Sequence, residues 1–154
     1  MPSLEYNYPS LIESEEKMLD DVIEFLAVHE IDRDLQDRFL LAVSEAFTNA
    51  LIHGNKYNPR KLIKVTLTVN EDFINADIAD EGRGGVESIK GRRPSSSFSE
   101  GGRGVDLIEH CAHDVKFSET ENGGLRVSLR FDRFKKKTDS IGVVATGGNH
   151  GNHR

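Results

Sequence analysis

Along the first third of the chain, apolar residues return every three or four positions. From Leu11 to His29 they are Leu11, Met18, Leu19, Val22, Ile23, Phe25 and Leu26, a spacing that predicts an amphipathic helix. A second helix is predicted from an Asp32 N-cap to Gly54, with Leu35, Phe39, Val43, Phe47 and Ala50 as its main stripe. Leu41, Ala42 and Ile52 fall on nearly the opposite side, and a helix apolar almost all round is expected to be buried on both sides. The period then drops to two. Ile63 to Val69 and Phe73 to Ala79 alternate, and Asn70-Glu71-Asp72 joins them as a β-hairpin. A short strand over Leu4 to Tyr8, a helix over Val105 to Cys111 and a strand over Val115 to Phe117 add to these. Asn122-Gly123-Gly124 turns the chain into a last alternating strand through Leu125, Val127, Leu129 and Phe131. Helices first, then a mostly antiparallel sheet interrupted by a loop and a helix, is an α+β layout.

Two stretches lack either period. Val86 to Gly102 is rich in Gly, Ser, Arg and Pro and is expected to be a mobile loop. After Phe134 the tail has no core pattern, so residues 135–154 are expected to be disordered and residues 1–134 to form one domain.

Composition narrows the class. With 36% hydrophobic and 30% charged residues in 154, the chain suits a globular domain with a real core. A net charge of −6 argues against a bulk electrostatic grip on nucleic acid. The single cysteine, Cys111, leaves no internal disulfide framework and suits a reducing cytosol. No basic region followed by an apolar run opens the chain and no long apolar stretch follows, so neither secretion nor membrane spanning is expected.

Three clusters carry candidate chemistry. Glu45 and Asn49, one helical turn apart, place a carboxylate and a carboxamide on one stripe of the second helix. Asp80 continues the row Ile74, Ala76, Ile78 past the strand's end, and Glu81-Gly82-Arg83-Gly84 follows it. Gly101-Gly102-Arg103-Gly104 precedes a predicted helix, where backbone N–H groups favour an anion. Taken singly, each has an ordinary reading: a helix pair bonded to nearby backbone, a turn, and a flexible loop. Together they suit a nucleoside triphosphate with Mg²⁺: an amide oxygen for the cation, a rim carboxylate for a ligand amine, a glycine loop for phosphates, and Glu45 as proton acceptor. Neither a P-loop lysine pattern nor a Rossmann unit is present. His110-Cys111-Ala112-His113 matches no strong zinc spacing.

The order of "EAFTNALIHG", "DEGRG" and "GGRGVDLIEH" resembles the N, G1 and G2 boxes of the GHKL (Bergerat-fold) ATPases. Within these, the chain is similar to the small bacterial anti-sigma-factor serine kinases over about residues 4 to 133. The resemblance implies a two-layer sandwich with helices on one face of the sheet and an ATP lid over Val86 to Glu100. It implies Glu45 as general base, Asn49 as Mg²⁺ ligand and Asp80 as the partner of the adenine amine, with Gly82 and Gly84 shaping the adenine pocket. Gly101, Gly102, Arg103 and Gly104 would lie at the phosphates. One departure stands out: many relatives have Gly-Thr where this chain has Gly124-Leu125, so a hydroxyl is missing at the start of the last strand.

Within that superfamily, sensor histidine kinases often carry Asn where Glu45 stands and have a dimerising hairpin before the ATPase domain. "HEIDRD" at His29 resembles a phosphoacceptor box but lacks its proline. Gyrase-like and chaperone-like members need a second domain that 154 residues do not hold. The resemblance therefore implies a cytoplasmic, homodimeric serine kinase using ATP and Mg²⁺. It would phosphorylate an anti-anti-sigma (STAS-type) protein and sequester a sigma factor in a partner-switching system. From a different class, a non-catalytic, nucleotide-gated module that sequesters a regulatory protein fits the same residues.

Overall fold

A computed structural model describes residues 3–86 and 105–134. Of the lid expected over Val86 to Glu100 only Val86 is described; the rest of it, the Gly101–Gly104 segment and the tail after Phe134 lie outside the described residues. In chain order the elements are β1 (Ser3–Pro9), α1 (Glu13–Val28), α2 (Arg33–Asn49), a π-helical turn (Ala50–Gly54), β2 (Leu62–Val69) and β3 (Phe73–Ala79). Further along the chain come α3 (Val105–Cys111), β4 (Asp114–Glu119) and β5 (Leu125–Asp132). The α+β expectation holds, with strand ends moved by a residue or two.

The five strands form one antiparallel sheet in the order β1-β2-β3-β5-β4. Alternation in the sequence becomes sidedness in the sheet. Ile63, Val65, Leu67 and Val69 of β2, Ile74, Ala76 and Ile78 of β3, and Val127, Leu129 and Phe131 of β5 are all buried. The intervening residues are partly or fully exposed. Register pairs Val65 with Ile78 and Ile78 with Val127, so one continuous apolar face is built across three strands.

The helices cover that face. Asp32 caps α2 by accepting the Leu35 backbone N–H at 3.4 Å, satisfying one of the helix's orphan donors. From α2, Phe39 meets Phe131 of β5 edge-on at 5.1 Å, and Phe47 meets Tyr8 of β1 at 5.6 Å. Leu35, Phe39, Val43, Phe47 and Ala50 are buried, as the main stripe requires. α1 contributes Met18, Val22, Phe25 and Leu26 to the same core, and Tyr8 donates to Asp21 of α1 at 2.7 Å.

One expectation needs correction. The second apolar side of α2 is open: Ala42 is buried, but Leu41 is 44% and Ile52 38% exposed. The apolar stripe is wide, yet the sheet on one side and α1 and α3 on the flanks do not enclose that edge. Glu45 and Asn49 accordingly sit at a half-buried rim and not inside protein. Leu11 and Ile23, counted with the first helix's stripe, are exposed too.

Candidate functional site

The helix that carries Glu45 and Asn49 does not simply stop. It widens into a π-helical turn in which the Asn55 N–H reaches the Ala50 carbonyl, five residues back, at 2.7 Å. Such turns are rare and concentrate where function needs backbone out of register. The turn ends with Gly54 against the carboxylate of Asp80, so closely that a Cβ on Gly54 would overlap the Asp80 carboxyl group. The N-box helix and the end of β3 are thereby brought into contact.

Asp80 is 5% exposed, a buried carboxylate at a strand end. Its Oδ1 accepts two backbone N–H groups, from Gly82 at 2.9 Å and Leu125 at 3.1 Å, and its own N–H bonds the Leu125 carbonyl at 3.0 Å. Backbone donors of this kind hold a carboxylate in one orientation. The two glycines after it serve different ends. Gly82 packs on the Gly54 carbonyl with no room for a Cβ, whereas Gly84 has open space but φ of +71°. Leu125, where a threonine hydroxyl was missed, gives Asp80 its backbone N–H and turns its side chain into the core.

A residue that sequence reasoning passed over ties this corner together. Asn55 is 2% exposed; its Nδ2 donates to Ser10 Oγ at 2.8 Å and the Leu62 carbonyl at 3.0 Å. Its Oδ1 accepts the Glu81 N–H at 2.8 Å. One side chain thus joins the end of β1, the start of β2 and the residue after Asp80. Glu81 adds a second clasp, its Oε1 accepting the Leu62 N–H at 2.8 Å. The signal in the sequence was an asparagine directly after the helix-ending glycine, which reads as an ordinary turn residue.

The other end of the site is electrostatic. Ser44 Oγ and Thr48 Oγ1 of α2 both donate to Glu15 Oε2 of α1, each at 3.3 Å. This explains the helix-unfriendly Thr48: its hydroxyl grips a neighbouring helix. Ser44 and Thr48 bracket Glu45, so the clamp sets the turn that presents it. Burial, and after it the nearby Glu15 charge, raise the Glu45 carboxyl above the usual carboxylate range. Glu15 was not among the sequence candidates. The structure thus joins Gly54, at the end of the turn that follows the α2 pair, to Asp80 and Gly82 in one corner, while Gly101, Gly102, Arg103 and Gly104 lie outside the described residues.

A five-stranded antiparallel sheet under helices, with an acid-bearing helix running into an aspartate at a strand end, is the architecture of an ATPase-type nucleotide domain. The family model of the histidine kinase-like ATPase domain matches residues 8–131, and the chain belongs to this family. The chain is similar to anti-sigma F factors. That of Heyndrickxia coagulans is 30% identical over 93 residues, covering 57% of this chain and 63% of that protein. That of Bacillus subtilis strain 168 is 27% identical over 120 residues, covering 75% of this chain and 82% of its own. The match to the first relative therefore spans less than two thirds of that relative's length. Among solved structures, the RsbU and RsbW domains of Rv1364c from Mycobacterium tuberculosis share the fold. The TM-score there is 0.63 at 18% identity, over 85% of this chain and 32% of that one. Among the described residues no helix is long and apolar enough to cross a membrane.

Proposed function

We propose that the chain is an ATP- and Mg²⁺-dependent serine kinase of the anti-sigma-factor type. It acts in the cytoplasm as a homodimer, phosphorylates a STAS-type anti-anti-sigma protein, and holds a sigma factor inactive until partners exchange. The observation that carries this reading is Glu45: a half-buried carboxylate with a raised pKa, one turn before Asn49, on the helix that locks the Asp80 corner. Similarity to anti-sigma F factors supports the choice of partners.

The residues present fit the nucleotide and its metal. Gly54, Gly82 and Gly124 pack so tightly around Asp80 and its neighbours that any Cβ would strike protein atoms, which supports Asp80 as a fixed acceptor for a base. Asp80 would take the adenine amine, with Gly82 and Gly84 shaping the base pocket. The Asn49 amide oxygen would hold Mg²⁺, and Gly101, Gly102, Arg103 and Gly104 would hold the phosphates. When bound, Mg²⁺ supplies charge neutralisation on the transferring group. Glu45 would accept the proton of the serine hydroxyl as the serine oxygen takes the γ-phosphoryl group and ADP leaves with the bridging oxygen, and a carboxylate raised in pKa is a stronger base for that step.

The test is transfer of label from γ-labelled ATP to a STAS-type protein of the same genome. Serine phosphorylation that requires Mg²⁺ and Glu45 supports a kinase. Tight, nucleotide-dependent partner binding without transfer would favour a non-catalytic sequestering module instead.

A further inference from the structure

Beyond the Asp80 corner, the loop after the π-turn frames a pocket of about 360 Å³. Lys56, Lys61 and Arg83 line it together with Asn55, Asn58 and the Gly82 backbone, and no acidic side chain does. Among the described residues none of the three cations forms an ion pair. In a chain of net charge −6, three unpaired cations around one pocket are not what the average surface would supply.

The platform is rigid. Lys56 and Tyr57 are consecutive non-glycine residues in the left-handed region, at φ of 52° and 60°, a conformation that persists only where surroundings enforce it. The Tyr57 N–H bonds the Leu51 carbonyl at 2.9 Å, the Asn58 N–H the Asn55 carbonyl at 3.0 Å, and the Lys61 N–H the Asn58 carbonyl at 2.9 Å. Buried Asn55 anchors the whole loop to β1, β2 and the residue after Asp80. Asn58 uses its Oδ1 on the Arg60 N–H at 3.0 Å, so its amide N–H groups are the end left to face a ligand.

We infer that this pocket is a binding site for a phosphate-class anion, separate from the proposed nucleotide site. The two share Gly54 and Gly82; Glu45, Asn49 and Asp80 do not line it. A single carboxylate does not match three cations, whereas a di- or trianion does. A guanidinium fork beside two ammonium groups is the donor set that phosphate oxygens select. The phosphate is either a free diphosphate or one carried on a serine of a partner protein.

The decisive experiment titrates the full chain calorimetrically, in the presence of excess ADP, with inorganic pyrophosphate and in parallel with a phosphoserine peptide. At low salt at least one anion binds with a dissociation constant below about 1 mM, a modest affinity for a small ligand. Binding weakens about tenfold or more in the Lys56→Gln, Lys61→Gln double variant and falls with added salt as screening shortens. ADP affinity is unchanged in that variant. Tighter pyrophosphate marks a free diphosphate as the ligand; a tighter peptide marks a protein-borne phosphate. The inference is overturned if neither anion binds, if the double variant binds both as well as the parent, or if binding appears only when ADP is omitted. Should ADP itself fail to bind, the nucleotide reading falls while the anion titration still decides this one.

Discussion

Asp80 and Glu45 are both carboxylates near one end of the fold, and they are built in opposite ways. Asp80 is enclosed, its Oδ1 fixed by two backbone N–H groups and its flank closed by glycine backbone. Glu45 stands on a half-open helix face beside Glu15, with no side-chain bond of its own among those described. A recognition element profits from rigidity, because an unmoving acceptor discriminates one donor pattern from another. A proton acceptor profits from access and from a pKa lifted toward working pH. The difference predicts that changes around the first carboxylate weaken folding where they crowd its packing and binding where they alter its acceptor, whereas those at the second separate chemistry from both.

The largest stability effect is expected at Gly82→Ala. Its Cβ would drive into the Gly54 carbonyl, which is backbone and cannot swing aside, so the loss is about 1–3 kcal/mol, the cost of overpacking. Denaturant unfolding at unchanged slope measures it, and a midpoint equal to the parent's would mean the corner is slack. Asp80→Asn comes next. Its amide oxygen can keep the Gly82 and Leu125 N–H bonds, so the fold survives, while ATP affinity drops at least about tenfold, about 1.4 kcal/mol. Unaltered ATP affinity in a thermal-shift titration would return Asp80 to a purely structural role.

Smaller effects belong to the Glu45 side. With Glu45 as the proposed proton acceptor, transfer should need it ionised, and activity should fall as pH drops through its raised pKa. Glu15→Gln keeps an acceptor for Ser44 and Thr48 but removes the charge, so the acid limb of the pH–rate profile moves to lower pH. The shift is partial because burial, the larger cause, remains. An unmoved limb would show that Glu15 acts only as a clamp. The smallest effect is on melting. A carboxyl whose folded pKa is raised favours the folded state below its unfolded pKa, and that contribution is lost as pH rises through the folded value. Glu45→Gln should therefore melt slightly higher than the parent at pH 8, by no more than about 2 °C, and show no such gain near pH 4. A gain at pH 4 alone would reverse the assignment.

The same contrast governs what could be read from the residues. Elements whose signal is periodic were legible: the α2 stripe, the β2–β3 hairpin and the β5 alternation all map onto buried faces. Asp80 was legible because it extends a core-facing row past a strand end. The π-turn was not, since widening a helix by one residue leaves the apolar spacing nearly unchanged. Asn55 and Glu15 were missed for a related reason. Their importance lies in long-range bonds, to Ser10, Leu62 and Glu81 in one case and Ser44 and Thr48 in the other, and no local pattern announces these. The open edge at Leu41 and Ile52 was misjudged because an apolar stripe tells how much a helix can bury, not how much its neighbours cover.

The central claim is that Glu45 serves proton transfer while its neighbour Asn49 serves the metal. Mg²⁺–ATP affinity and phosphoryl transfer to the STAS-type acceptor, measured side by side on Glu45→Ala and Asn49→Ala, test it most directly. Glu45→Ala should bind nucleotide nearly as the parent does yet transfer about a hundredfold more slowly, the scale of a lost general base. Asn49→Ala should lose Mg²⁺-dependent ATP affinity as well, because the cation is no longer held. Equal losses of binding, transfer and melting temperature in both variants would contradict the account and leave the pair a structural element of α2.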